Sequence, residues 1–241
     1  MRFKLLNTMG YLIKRYLIIV IIFSGRCFSQ DIEENEVSLL IEKCGGVYFP
    51  NKKIISDSWG SSLSFFDIKE GEKIADIGSK SMTFIGILSV FSEKATFYCE
   101  DIDSSCTTQE QADKVIKYYS KIKEAPISNI IIPVIGNEKT TTLPSNFFDK
   151  VIIDNSLHEF SDKETMLKDI FRILKKGGKL YDRESLGRKN GEIHIGCNNK
   201  LFDENTLINL VSTNGFQYVN SIDSRIPTGA YLSKIFLFKK E

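Results

Sequence analysis

From residue 73 onward the chain alternates short apolar runs, rich in β-branched residues, with stretches of helix length, the sequence sign of parallel β-α-β units. The pattern predicts strands at 73–77, 95–99, 129–134, 150–153 and 179–182, with helices at 82–91, 109–122 and 163–174 between them. "LKKGGK" then supplies a helix stop, with Lys175 and Lys176 at the negative end of the dipole and two glycines after them. Asp203 caps a further helix to about Thr213, which Asn214 and Gly215 end. "FQYVNSIDSR" and "LSKIFLFKK" follow as strand-like runs around Gly229 with no helix-length stretch between them. They should pair as a hairpin, the second returning antiparallel at one end of the sheet. The expected fold is an α/β three-layer sandwich on a mostly parallel, seven-stranded sheet with an antiparallel C-terminal strand.

Upstream of this alternation the pattern changes. Residues 32–43 form a plausible amphipathic helix, with Val37, Leu40 and Ile41 on one face and Gly45 and Gly46 ending it. A polar and aromatic stretch follows, so 30–67 is expected as a helical lead-in to a domain at 68–241. Residues 1–29 place Arg2, Lys4, Lys14 and Arg15 ahead of the apolar run 16–23. That run is too short for a bilayer span, which needs about 20 apolar residues, and it suits the apolar region of a secretory signal. Cleavage after Ser29 would export the protein to the periplasm or cell envelope. An uncleaved leader would instead leave an N-terminal anchor, the one expected contact with a membrane.

Composition narrows the partners. A chain of 241 residues, 42% hydrophobic and 26% charged, suits one substantial core. The net charge of +1 lacks the basic excess of a nucleic-acid binder. Loss of residues 1–29 would remove five basic residues and no acids, taking it to −4. Of the five cysteines, Cys44, Cys99, Cys106 and Cys197 would remain, and an oxidising compartment would permit disulfides among them. Buried free thiols are the expectation, with Cys99 and Cys106 the pair close enough in sequence to consider for a bridge. No C-x-x-C occurs, and His158 and His194 are far apart in the chain, so no metal site is expected.

Ligands of an open α/β sheet sit beyond the carboxyl ends of its strands, so the residues after each strand matter most. Asp76, Ile77, Gly78 and Ser79 follow the first strand, where glycine permits a sharp turn that brings backbone N–H groups toward a ligand. Asp101 follows the second, about 20 residues beyond that turn, the placement of a carboxylate that accepts hydrogen bonds from a ribose diol. Gly136, Asn137 and Glu138 follow the third and offer amide and carboxylate groups for an adenine edge.

These residues resemble the class I S-adenosylmethionine-dependent methyltransferases, a family with a Rossmann-like fold. The similarity is strongest in "FFDKVIIDNSLHEFSDKETMLKDIFRILKKGGKLYDRES", Phe147 to Ser185, and extends to "IKEGEKIADIG" and "TFYCEDID" in the family's order. The resemblance implies S-adenosylmethionine as cofactor and a small-molecule methyl acceptor. Asp76, Ile77, Gly78 and Ser79 would lie by the methionine part, Asp101 would bind the ribose, and Ile102 would pack on the adenine. Asn137 and Glu138 would sit near its amino group, and Asp154 beside the methionine group and the substrate. His158 and Glu159 would border the substrate pocket, with His158 the candidate base for an acceptor that must lose a proton.

The departures gather at one turn. Where the family shows D-x-G-x-G-x-G, this chain keeps Gly78 and places Lys80 and Met82 at the other two glycine positions. Asn137 stands where aspartate is frequent, and Lys176 replaces a proline. The altered turn, together with export away from the cytosolic supply of cofactor, leaves open a second reading: a catalytically inactive binding or interaction protein on the same fold.

Overall fold

The computed structural model describes residues 44–226 and 231–241. The leader, the 32–43 helix and Gly229 lie outside them. The first described helix, α1 (Lys52–Phe65), begins at Asn51, whose side chain accepts from the Ile54 N–H. It buries Ile55, Trp59, Ser62 and Leu63, a spacing that lines one helical face. The chain then runs β1 (Lys73–Ile77), α2 (Thr83–Val90), β2 (Thr96–Asp101), α3 (Gln109–Lys123), β3 (Ile130–Ile135) and β4 (Phe148–Asp154). A 3-10 turn at Leu157–Glu159 leads to α4 (Lys163–Ile173), β5 (Leu174–Leu186), α5 (Glu204–Thr213), β6 (Phe216–Asp223) and β7 (Leu232–Lys240).

The sheet order is β3-β2-β1-β4-β5-β7-β6. β1 to β5 pair in parallel, and β7 pairs antiparallel with both β5 and β6. β7 therefore lies one strand inside the edge, which β6 occupies. The order reverses at β1 and β4, the place where an open α/β sheet leaves a crevice at the carboxyl ends of its strands.

Alternation along the buried strands sets the two faces of the sheet. Ala75, Ile77, Val151, Ile153 and Leu180 join one apolar core with Ile170 of α4, Leu207 and Val211 of α5, and Phe236 and Phe238 of β7. On the other face the buried Tyr181 meets Phe65 and Phe66 edge-on and tilted. The residues before β1 are tied to that face. Tyr118 and Tyr119 of α3 donate to the carbonyls of Phe49 and Val47, and Cys44 forms a disulfide with Cys106.

That disulfide corrects the expectation of free thiols. Cys106 stands just before α3, where the lead-in reaches it across 62 residues, whereas Cys99 is buried within β2 and remains free. The helix stop is also built differently from its expectation. α4 ends at Ile173 and the chain is extended from Leu174, with the lysine-glycine stretch absorbed as a shift of register between β4 and β5. Lys175 pairs with Asp149, and the amine of Lys240, from the last strand, donates to the Phe171 and Leu174 carbonyls at the helix end.

Candidate functional site

The turn after β1 holds one of the three motif glycines and has a left-handed backbone at all three positions. Gly78, Lys80 and Met82 have φ of +78°, +38° and +58°, so all three motif positions adopt the left-handed region. Met82 is fully buried, filling space that a glycine would leave, while Lys80 is exposed. Glycine is required at 78 itself, since an added Cβ would stand 2.5 Å from Ser156 Oγ. The turn amides are not left free for a ligand as expected. Gly78 and Ser79 donate to the Glu100 carbonyl, and Lys80 donates to Asp101 Oδ2 at 2.8 Å. Asp101 Oδ1 accepts from Asp103 N–H at 2.8 Å, so two backbone amides fix the carboxylate at the end of β2.

Two clefts meet at this turn. One, of about 340 Å³, is lined by Ile77, Gly78, Asp101, Ile102, Asn137 and Glu138 among others. The second, of about 290 Å³, is lined by Asp76, Gly78, Ser79 and Asp154, with Trp59, Phe84 and Arg183. Gly78, Lys80, Ser156 and Glu159 belong to both. Each of the nine cofactor positions read from the sequence therefore lines one cleft or the other. Ile102, 59% exposed, presents an apolar surface in the first. Asn137 differs in detail from its expectation. Its side-chain oxygen accepts from the Lys139 and Thr140 amides and so closes its own turn, leaving the NH₂ end for a ligand.

Buried charge marks the second cleft. Asp76 is almost fully buried, its Oδ1 has no partner among the described residues, and burial pushes its pKa up to about 7. Glu100, behind the turn, is pushed up to about 8 by burial and then by the neighbouring Asp101 charge. Arg183 pairs through Nε with Asp154, while its Nη1 is buried without a partner among the described residues. Sequence reasoning missed this guanidinium; its only signal there is a basic residue placed late in the fifth strand.

His158 lies elsewhere. It is 1% exposed, and its Nδ1 stands 2.7 Å from Oε2 of Glu184, itself fully buried on β5. Burial opposes protonation, but the Glu184 hydrogen bond and charge outweigh it and hold the His158 pKa above its ordinary value. Its ring meets that of His194 at 5.3 Å, and it lines a separate cleft formed with the β5–α5 connection. Its neighbour Glu159, not His158, reaches the two clefts around the turn. Distance along the chain therefore does not separate the two histidines, because that connection folds back over the 3-10 turn.

Comparison with known proteins agrees with this fold. Residues 89–182 match the family model described as a methyltransferase domain. A solved S-adenosylmethionine-dependent methyltransferase from Methanosarcina mazei superposes with a TM-score of 0.58 at 16% identity, covering 74% of this chain and 96% of that one. Another, from Aquifex aeolicus, gives a TM-score of 0.56 at 17% identity, covering 78% and 94%. The chain has the fold of these S-adenosylmethionine-dependent methyltransferases, and its residues 89–182 are similar to a methyltransferase domain. The ubiquinone/menaquinone biosynthesis C-methyltransferase UbiE of Vibrio cholerae is 25% identical over 137 residues, 56% of this chain and 47% of that protein. The chain thus spans about half the length of such curated relatives.

Proposed function

We propose that this protein is an S-adenosylmethionine-dependent methyltransferase acting on a small-molecule acceptor. The observation that carries the reading is the gathering of nine separately read positions on two clefts that share the turn after β1. The first cleft suits the adenosine half: Asp101 for the ribose hydroxyls, Ile102 against the adenine, and the Asn137 amide with Glu138 at its edge. The second suits the methionine half. There the unpartnered Nη1 of Arg183 would take the carboxylate, a role for which Lys80 is the sequence-based alternative, and Asp154 supplies negative charge toward a sulfonium.

The cofactor supplies an activated methyl group for in-line displacement. The protein's part is positioning and exclusion of water, which does not require a catalytic triad. Trp59 and Phe84 line the methionine-side cleft and favour an acceptor with an apolar or aromatic portion. His158 would act as base only through movement of its unpartnered Nε2 toward that cleft. Export is part of the proposal, supported by the leader-like N-terminus and by the Cys44–Cys106 bridge, since disulfides persist in oxidising compartments. Cell fractionation tests it, and a wholly cytosolic protein would refute it.

Calorimetric titration of the purified chain with S-adenosylmethionine and its demethylated product tests the central claim. Micromolar binding of both is expected. A folded chain that binds neither would overturn the reading.

A further inference from the structure

We propose that His158, His194 and Cys197 form a binding site for one divalent transition metal of the zinc class. One donor atom from each of the three lies within 4.8 Å of the others. The set does not depend on the methyltransferase reading, and it stands apart from the two clefts around the turn.

The chemistry of the donors points to a metal. Nδ1 of His158 stands 2.7 Å from Glu184 Oε2, so Nδ1–H donates to the carboxylate and in the neutral ring the lone pair is on Nε2. That Nε2 is buried and has no hydrogen-bond partner among the described residues. A buried nitrogen without a partner is costly, and an imidazole oriented by a carboxylate is the arrangement that prepares histidine for metal. His194 and Cys197 come from one short turn. His194 N–H donates to Asn199 O at 2.8 Å, and Asn198 N–H donates back to His194 O at 2.9 Å. This fold-back sets Nδ1 of His194 3.2 Å from the free, half-buried Cys197 sulfur. Tyr231 steadies the turn, its hydroxyl accepting from Ile195 N–H and donating to Ile193 O.

The distances fit a tetrahedral ion. Bonds of about 2.0–2.1 Å to nitrogen and about 2.3 Å to sulfur place neighbouring donors about 3.3–3.7 Å apart. The His194–Cys197 edge, at 3.2 Å, opens by a few tenths of an ångström, and an edge at the 4.8 Å limit closes by about 1.1–1.5 Å. Two imidazoles and a thiolate select zinc-class ions over magnesium or calcium, which prefer oxygen. Beside the three donors, Oε1 of Glu159 is 3.7 Å from His158 Nε2, and Glu159 also borders both cofactor-side clefts. A metal here would join the β5–α5 connection to the rim of those clefts. It would also use the lone pair that a general base at His158 would need, so the metal-bound protein has no base at that position. The signal legible in sequence is H-x-x-C at 194–197.

The test is a titration of the full chain, stripped of metal with a chelator, using Co²⁺ as the spectroscopic probe. One equivalent should bind with a thiolate-to-cobalt charge-transfer band, and stoichiometric Zn²⁺ should bleach it. Cys197→Ser should abolish the band. His194→Gln should lower affinity by more than about tenfold, because even outer partners of metal ligands are worth about 10–100-fold. A measurement without variants guards against misfolding: Zn²⁺ should slow alkylation of Cys197, read by mass spectrometry. No charge-transfer band in excess Co²⁺, a band unchanged in Cys197→Ser, or alkylation of Cys197 at one rate with and without Zn²⁺ would each overturn the proposal.

Discussion

The backbone amide of Lys80 donates to the carboxylate of Asp101 at 2.8 Å, so the residue that breaks the glycine motif also fixes the acid expected at the ribose. The bond needs backbone alone, which is why a lysine can stand there. The left-handed conformation of an L residue costs about 1–2 kcal/mol, whereas glycine adopts it freely but loses about 0.5–1 kcal/mol in chain entropy. Lys80→Gly should therefore leave stability unchanged or raise it by up to about 1.5 kcal/mol, read from a denaturant midpoint. Met82 behaves oppositely. Its side chain is fully buried, so Met82→Ala should cost about 2–5 kcal/mol. A loss on Lys80→Gly as large as that on Met82→Ala would contradict this account of the turn.

Asp101 and Arg183 should separate the two halves of the cofactor. Asp101→Asn removes a charge-assisted contact worth about 1.5–3 kcal/mol, so affinity for S-adenosylmethionine should fall about 10–100-fold. Adenosine alone should be weakened comparably. Arg183→Met should weaken S-adenosylmethionine but not adenosine, because the guanidinium lines only the cleft assigned to the methionine half. Equal losses of adenosine in both variants would rule out this division.

Much of this arrangement is legible in the amino-acid sequence, and the reasons are local. β1 is bounded as expected because an apolar strand between a glycine turn and a motif glycine has little freedom at either end. Asp101 is legible because the length of one β-α-β step fixes where the second strand ends. What escapes depends on contacts across the fold. α1 is serine-rich and weakly apolar, and its buried Trp59 face gains meaning only against Phe49 and the sheet domain. Cys44 reaches Cys106, and His194 reaches His158, through connections whose paths no periodicity encodes. The three positive φ values show the limit of motif reading: a glycine pattern reports the cheapest residue for a conformation, not the conformation itself.

The buried acids predict how stability responds to pH. Asp76 rises from an ordinary 3.8 to about 7, with burial first and the Asp154 and Asp101 charges after it. Glu100 rises from 4.5 to about 8, again chiefly through burial. Both hold protons in the folded state that the unfolded chain has already released, so their stabilising contribution is complete below about pH 4 and is lost as pH rises toward 8. Each contributes a slope of up to about 1.4 kcal/mol per pH unit within that window. The ligand-free chain should therefore lose stability between about pH 4.5 and 7.5, and Asp76→Asn should flatten the profile. Denaturant midpoints across that range provide the check, and a profile that rises toward neutrality would show that these carboxyls ionise normally.

The Cys44–Cys106 bridge should govern how firmly the lead-in stays on the sheet domain. It closes a loop of 62 residues, for which chain entropy gives about 4 kcal/mol of stabilisation. Reduction should lower the unfolding midpoint accordingly, and Cys44→Ala should reproduce the loss without reductant. The effect should extend to binding, because Gly46 and Val47, two and three residues beyond Cys44, line the methionine-side cleft with Trp59. Freed of the bridge, that wall is held chiefly by the Tyr118 and Tyr119 hydroxyls on the Phe49 and Val47 carbonyls. S-adenosylmethionine affinity should drop on reduction, while adenosine, confined to the other cleft, should bind as before. Unchanged affinity and an unchanged midpoint after verified reduction would mean that packing alone holds the segment in place.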